Sequence, residues 1–207
     1  MLRVITSELR RHIPFTAIGA ATGITMVVIF VITDSLQSVA SASPTIFYTL
    51  HPIHVVLSAA ATTAIYRKHS DGSLWQAAVI GYVGSVGIAT LSDSVLPYLG
   101  ETLLSLPHAQ AHIGFIERWW LVNPAALIGI AAGTWKPFTK VPHTGHVLIS
   151  TWASLFHVIM ALGTTVPWLQ FVAIFIFLFI AVWLPVCLSD IVFPLTFARG
   201  QPAAYDR

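Results

Sequence analysis

Cysteine is nearly absent: Cys187 is the single one in 207 residues. No disulfide can form within the chain, and no CxxC-type metal or redox site exists. Charge is scarce too, at 9% Asp, Glu, Lys and Arg, where a soluble domain carries about 25%. The net charge of +2 gives no reason to expect a nucleic-acid partner. The sequence has no P-loop, GxGxxG, GxSxG or HExxH pattern, which removes the common phosphate, dinucleotide, acyl-transfer and zincin signatures. The small-residue run Ala17–Gly23 suits helix packing rather than phosphate binding.

What remains is apolar. The chain is 56% hydrophobic with a mean hydropathy of +0.80, which points to a membrane protein. Arg3, Arg10 and Arg11 precede a long apolar run, and Ala40-Ser41-Ala42 resembles a signal-peptidase site. The run from Ile13 to Thr33 has the length of a full span rather than the roughly 7–15 residues of a signal-peptide core. The segment therefore reads as a retained anchor.

Six stretches approach the roughly 20 apolar residues a crossing needs: 14–33, 50–66, 74–92, 119–135, 146–164 and 167–188. Their length and lack of alternation predict helices, in an all-α, polytopic bundle forming a single membrane domain over 1–207. With the N-terminus in the cytoplasm, Arg3, Arg10, Arg11, Arg67, Lys68, Lys136, Lys140, Arg199 and Arg207 face inward and only Arg118 faces out. That bias sets the expected topology, both termini cytoplasmic, in a multi-pass plasma-membrane protein. Trp75, Trp119, Trp120, Trp135 and Trp168 fall at span ends, the depth an amphipathic ring prefers. Pro52 and Pro142 stand near the expected starts of the second and fifth helices. Segment 94–118 is irregular, either an amphipathic helix on the outer surface or a re-entrant element.

Two stretches are copies of each other. His51-Pro-Ile-His54-Val-Val-Leu-Ser58 matches His143-Thr-Gly-His146-Val-Leu-Ile-Ser150, and Leu91-Ser-Asp93-Ser-Val-Leu-Pro97 matches Leu188-Ser-Asp190-Ile-Val-Phe-Pro194. The order is kept, with separations of 39 (54 to 93) and 44 (146 to 190) residues. Combined with the topology, this predicts two inverted three-helix repeats, about 14–97 and 119–194. It places His51, His54 and Asp93 near the outer face, and His143, His146 and Asp190 near the inner one. If 94–118 spans the membrane, all six converge on one face.

Histidines three apart share a helix face, so each HxxH can offer two imidazoles to one ion. Imidazole with carboxylate suits zinc, iron, manganese, nickel or copper(II). The expected ligands are thus His51, His54, Asp93, His143, His146 and Asp190. The plainer alternative makes the histidines interfacial caps and both aspartates N-caps, and Asp34 in Thr-Asp-Ser is a third carboxylate or a third cap. Polar stripes continue from His54 through Ser58, Thr62, Tyr66 and His69, and from His146 through Ser150, Ser154 and His157. Such faces turn to the bundle interior or only pack and bond backbone. His157 lies 11 residues, about 16 Å of rise, beyond His146, and is a candidate ligand or proton relay. His108 and His112 either complete an outer site or decorate an interfacial helix. His12 and His69, among basic residues, are expected to be solvated, and Glu117-Arg118 to form a local ion pair.

The function expected is binding of a divalent transition metal and its movement, or that of protons, across the bilayer. The competitors are a membrane metalloenzyme with a dinuclear His/Asp centre acting on a lipid-soluble substrate, a bis-histidine haem protein using His54 or His157, and a subunit of a larger membrane complex. The expected partners are the lipid bilayer, a metal ion or small substrate, and a homo-oligomer or larger assembly.

Overall fold

A computed structural model describes residues 2–135, 143–187 and 192–198. Among these residues it is all-helical, with no strand. The elements are α1 (Leu2–Ile32), α2 (Leu36–His69), α3 (Leu74–Leu103), α4 (Gly114–Glu117), α5 (Trp119–Trp135), α6 (His143–Ala161), α7 (Trp168–Cys187) and α8 (Phe193–Phe197). Three stretches, His12–Ile32, Leu74–Leu103 and Trp168–Val186, are long and apolar enough to cross a membrane.

The second helix is twice the expected length, 34 residues. Pro44 and Pro52 both lie inside it rather than at its start. The Ser/Thr-rich stretch before His51 is helical, and its hydroxyls are satisfied by folding back on the ladder, Ser41 to the Gln37 carbonyl, Ser43 to Val39 and Thr49 to Thr45. A tight turn at residues 33–35 joins α1 to α2. Asp34 takes a left-handed φ of 55° there, a conformation Asp tolerates better than most. It caps nothing: Ser35 occupies the N-cap, without a side-chain bond. Arg67, Lys68 and His69 in the last turn of α2 complement its negative end.

Helix α3 opens with a capping box between Ser73 and Gln76. It then runs past residue 92 as far as Leu103, through π-helical stretches at Val83–Gly87 and Leu91–Val95. Asp93 therefore sits inside a helix, in a widened turn, and not at an N-cap. Such single-turn π elements recur at functional sites.

Close contacts fix the helix directions. Phe47 meets His157 and His54 meets His146, so α2 and α6 are antiparallel. Gly19 faces Thr151 and Gly23 faces Leu155, making α1 and α6 parallel. Gly129 lies on the Val56 carbonyl and Gly133 on that of Ala60, so α5 is parallel to α2. Gly81 against Thr63 and Asp93 against His54 set α3 antiparallel to α2. The Trp183 indole donates to the Leu9 carbonyl at 2.8 Å, joining the end of α7 to the start of α1. The long helices thus alternate in direction along the chain.

The largest apolar core lies between α1, α2, α6 and α7, around Val27, Phe47, Leu155, Ile159, Ile174 and Leu178. Outward faces are apolar as well, with Ile18, Ile32, Val83, Leu127 and Ile128 exposed, while Ser43, His51, His54, Thr62, Asp93, Ser150 and His157 are buried. An apolar exterior around a polar interior is the arrangement a bilayer solvent favours. Trp75, Trp119, Trp120, Trp135 and Trp168 are all exposed at helix ends.

Close backbone approach is a requirement at Gly129, where an added Cβ would lie 2.3 Å from the Val56 carbonyl oxygen. Backbone on the partner helix cannot yield as a side-chain tip can. Gly129→Ala should cost at least about 1–3 kcal/mol through overpacking. Gly87→Ala, with nothing within 4 Å, should be neutral or slightly stabilising. Thermal unfolding of the two variants in detergent checks the contrast, and equal midpoints would contradict the packing described.

Candidate metal centre

The site begins with one carboxylate. Asp93, on the widened turn of α3, points between α2 and α6 and is fully buried. Its Oδ2 lies 2.9 Å from His51 Nδ1 and 2.7 Å from His54 Nδ1. Its Oδ1 accepts the Ser92 hydroxyl at 2.6 Å and the Ser150 hydroxyl of α6 at 2.9 Å. Four donors on one carboxylate define an anionic acceptor whose lone pairs are filled. Ser154 supports the turn by donating to the Ser92 carbonyl at 3.0 Å.

The i, i+3 spacing of His51 and His54 brings both rings onto the face of α2 that meets Asp93. Atoms of His51, His54 and Asp93 lie within 4.8 Å of one another, close enough to hold a metal ion. With protons on Nδ1, both rings donate to Oδ2. A metal bound at the two Nδ1 atoms would take the place of those hydrogen bonds, each neutral ring then carrying its single proton on Nε2 instead of Nδ1. The His51 Nε2 atom is buried without a hydrogen-bond partner and faces Gly114, where an added Cβ would come within 2.9 Å. The His146 ring lies against His54, centroids 4.7 Å apart and planes tilted by 48°. A third imidazole, from the second copy of the motif, thus stands at the edge of the cluster.

This convergence corrects the expected separation of His54 and His146 to opposite faces. The reason is the length of α2: it begins 15 residues before His51 (36 to 51), so its HxxH lies in mid-helix and not at the outer end. The antiparallel α6 then presents His146 at the same depth. His143 opens α6, but its side chain, and all of Asp190, lie outside the described residues. Both His54 and His146 are buried, as their polar stripes imply.

The other candidates lie elsewhere. Asp34 is exposed in the α1–α2 turn, 17 residues along the chain from His51 (34 to 51). His108 is exposed, its backbone N–H held by the Ala161 carbonyl at 3.3 Å. His12 is buried rather than solvated, and His69 turns its Nδ1 to the Ile65 carbonyl at 2.9 Å. His157, already at the end of α6 remote from His146, joins a second cluster: its Nδ1 lies 2.7 Å from Glu101 Oε1, and its Nε2 accepts the His112 backbone N–H at 3.3 Å. Glu101 escaped the sequence reading because its segment resembled a surface helix. Its position two turns beyond Asp93 on the same helix was the available signal.

Outside this cluster, the Glu117 carboxylate accepts the Tyr48 hydroxyl, the Ile113 N–H at 3.1 Å and His112 Nδ1 at 3.4 Å. Partial burial alone would raise its pKa, but Tyr48, Ile113 and His112 outweigh burial and hold it below the ordinary carboxylate range. Its hold on the loop is therefore complete above the ordinary carboxylate value and is lost as pH falls through the lowered one. The Arg118 guanidinium lies over the Tyr48 and Trp120 rings, 5.2 and 5.5 Å from their centroids.

Comparison with protein-family models, curated proteins and solved structures finds no match. The geometry itself shows a buried His/His/Asp group that could hold a metal, in a chain with three helices long and apolar enough to cross a membrane.

Proposed function

We propose that this chain is a multi-pass plasma-membrane protein that holds a divalent transition metal at the interface of two inverted three-helix halves and carries it across the bilayer in exchange for protons. The observation that carries the reading is the meeting of His51, His54 and Asp93 in the buried interior, with His146 of the second motif beside them.

The paired contacts support the inverted repeat. Gly19 and Gly23 of α1 lie on α6, while Gly129 and Gly133 of α5 lie on α2, so the first helix of each half grips the second helix of the other through a GxxxG face. Equivalent residues His54 and His146 touch, as pairs near a two-fold axis must. Among the described residues, the alternating helices put Arg3, Arg10 and Arg11 at the start of α1 on the same side as Arg67 and Lys68 at the end of α2, with Arg118 on the other, in keeping with the inside-positive rule. A midplane site between inverted repeats is where alternating-access transporters bind their cargo.

The bis-histidine haem alternative through His54 or His157 gains no support at His54, whose ring lies 4.7 Å from that of His146 and leaves no space for a porphyrin between the two. The dinuclear-enzyme reading rests on His143 and Asp190 joining the same cluster. Uptake of Zn²⁺ or Mn²⁺ into proteoliposomes separates transport from enzyme. Accumulation that requires the protein and is lost in Asp93→Asn supports transport; tight metal binding without accumulation contradicts it.

A further inference from the structure

A second buried acid–histidine pair stands apart from the metal centre. Glu101 of α3 and His157 of α6 are each 1% exposed and joined at 2.7 Å. Phe47 separates them from the metal cluster, stacked on His51 at 5.3 Å and edge-on to His157 at 5.4 Å. On the opposite side the His112 ring stands 5.3 Å from His157. His112 and Glu117 are 21% and 37% exposed, so water reaches the far end of this line.

We infer that Glu101 and His157 form a proton-binding site, open to the outer surface through His112 and Glu117, whose occupancy is coupled to the metal centre beyond Phe47. The hydrogen bonds define where the proton goes. His157 Nε2 accepts the His112 backbone N–H, so the neutral ring carries its proton on Nδ1 and donates it to Glu101 Oε1. Glu101 Oε2 is buried with no partner. A proton from bulk water forms an O–H bond there, and the pair passes from one net negative charge to none. That change removes an uncompensated charge from a low-dielectric interior.

The groups facing the pair are few. Helix α2 contributes Tyr48 and, past Phe47, His51; the loop and α4 contribute His112 and Glu117, with Arg118 over the Tyr48 ring. Helix α3 adds Asp93 two turns away, and α7 presents Phe177 against Gly100 and has no acidic or basic residue. Among the described residues no cation is fixed against Oε2, so the proton itself is the natural counter-charge. A dication beyond Phe47 favours the deprotonated carboxylate, and by linkage the proton opposes the metal.

The proton site stands on its own geometry, and only its coupling rests on the proposed metal function. pH-difference infrared spectra of the detergent-purified, metal-free protein test the site. The wild type should show one protonated-carboxyl band that titrates and is missing in Glu101→Gln. Persistence of every such band in a folded Glu101→Gln overturns the proposal. Should that variant not fold, His157→Gln must shift the frequency or titration midpoint of the band, and an unchanged band overturns it equally. Calorimetric titration with Zn²⁺ in buffers of different ionisation enthalpy tests the coupling. Wild type should release about one proton more per metal than Glu101→Gln at equal stoichiometry. Equal release overturns the coupling, whereas absence of Zn²⁺ binding in wild type would refute the metal function and leave the infrared result standing.

Discussion

Asp93→Ala should be the most damaging single substitution in the chain, lowering stability by about 3–5 kcal/mol and abolishing metal retention. The side chain accepts from four buried donors, the two imidazoles and the Ser92 and Ser150 hydroxyls. Removing it strands all four, at about 1–3 kcal/mol for each unsatisfied group, less whatever the site recovers by rearrangement. Asp93→Asn preserves volume but turns an NH₂ toward donors, so one pair of contacts becomes repulsive. It should fold better than Asp93→Ala and still bind metal at least about 10–100-fold more weakly. Chemical or thermal unfolding in detergent, alongside metal titration, separates the two effects. An Asp93→Ala protein as stable as wild type would show that the carboxylate does not organise the interior.

The second large effect is expected at the two copies of the motif. His54→Ala removes a ring held at 2.7 Å from Asp93, and His146→Ala removes the ring packed on it. Each should reduce bound metal strongly, because a four-coordinate site that loses an imidazole keeps too few ligands for a labile ion. His69→Ala and His108→Ala are the suitable controls, at half-buried and exposed positions away from the cluster. His12, buried in α1, is not, since its loss would disturb packing. Abundance in the membrane fraction must be measured in parallel.

Much of the helix content was legible because apolar runs of span length leave few alternatives, and the repeated motifs marked His51, His54, Asp93 and His146, which do meet; the His143 side chain and Asp190 lie outside the described residues. The depth of the motifs was not legible. Pro52 reads as a helix start, yet α2 begins 15 residues before His51, through a Ser/Thr stretch whose hydroxyls are satisfied on the helix ladder. Ser-Asp-Ser reads as a cap, yet a π turn keeps Asp93 inside α3. These two errors share a cause: Ser, Thr and Asp serve equally as helix ends and as polar interior groups when a bundle encloses them. Glu101 could not be paired with His157 from sequence, because 56 residues separate them and only the parallel packing of α3 against α6, which also joins Asp93 to Ser150, brings them together.

Metal content tests the central claim most directly. Protein purified in detergent, equilibrated with Zn²⁺ and desalted should retain one ion per chain in the wild type and none in His54→Ala/His146→Ala, with His69→Ala unchanged. Wild-type stoichiometry in the double variant would contradict the metal centre and leave these histidines as packing groups.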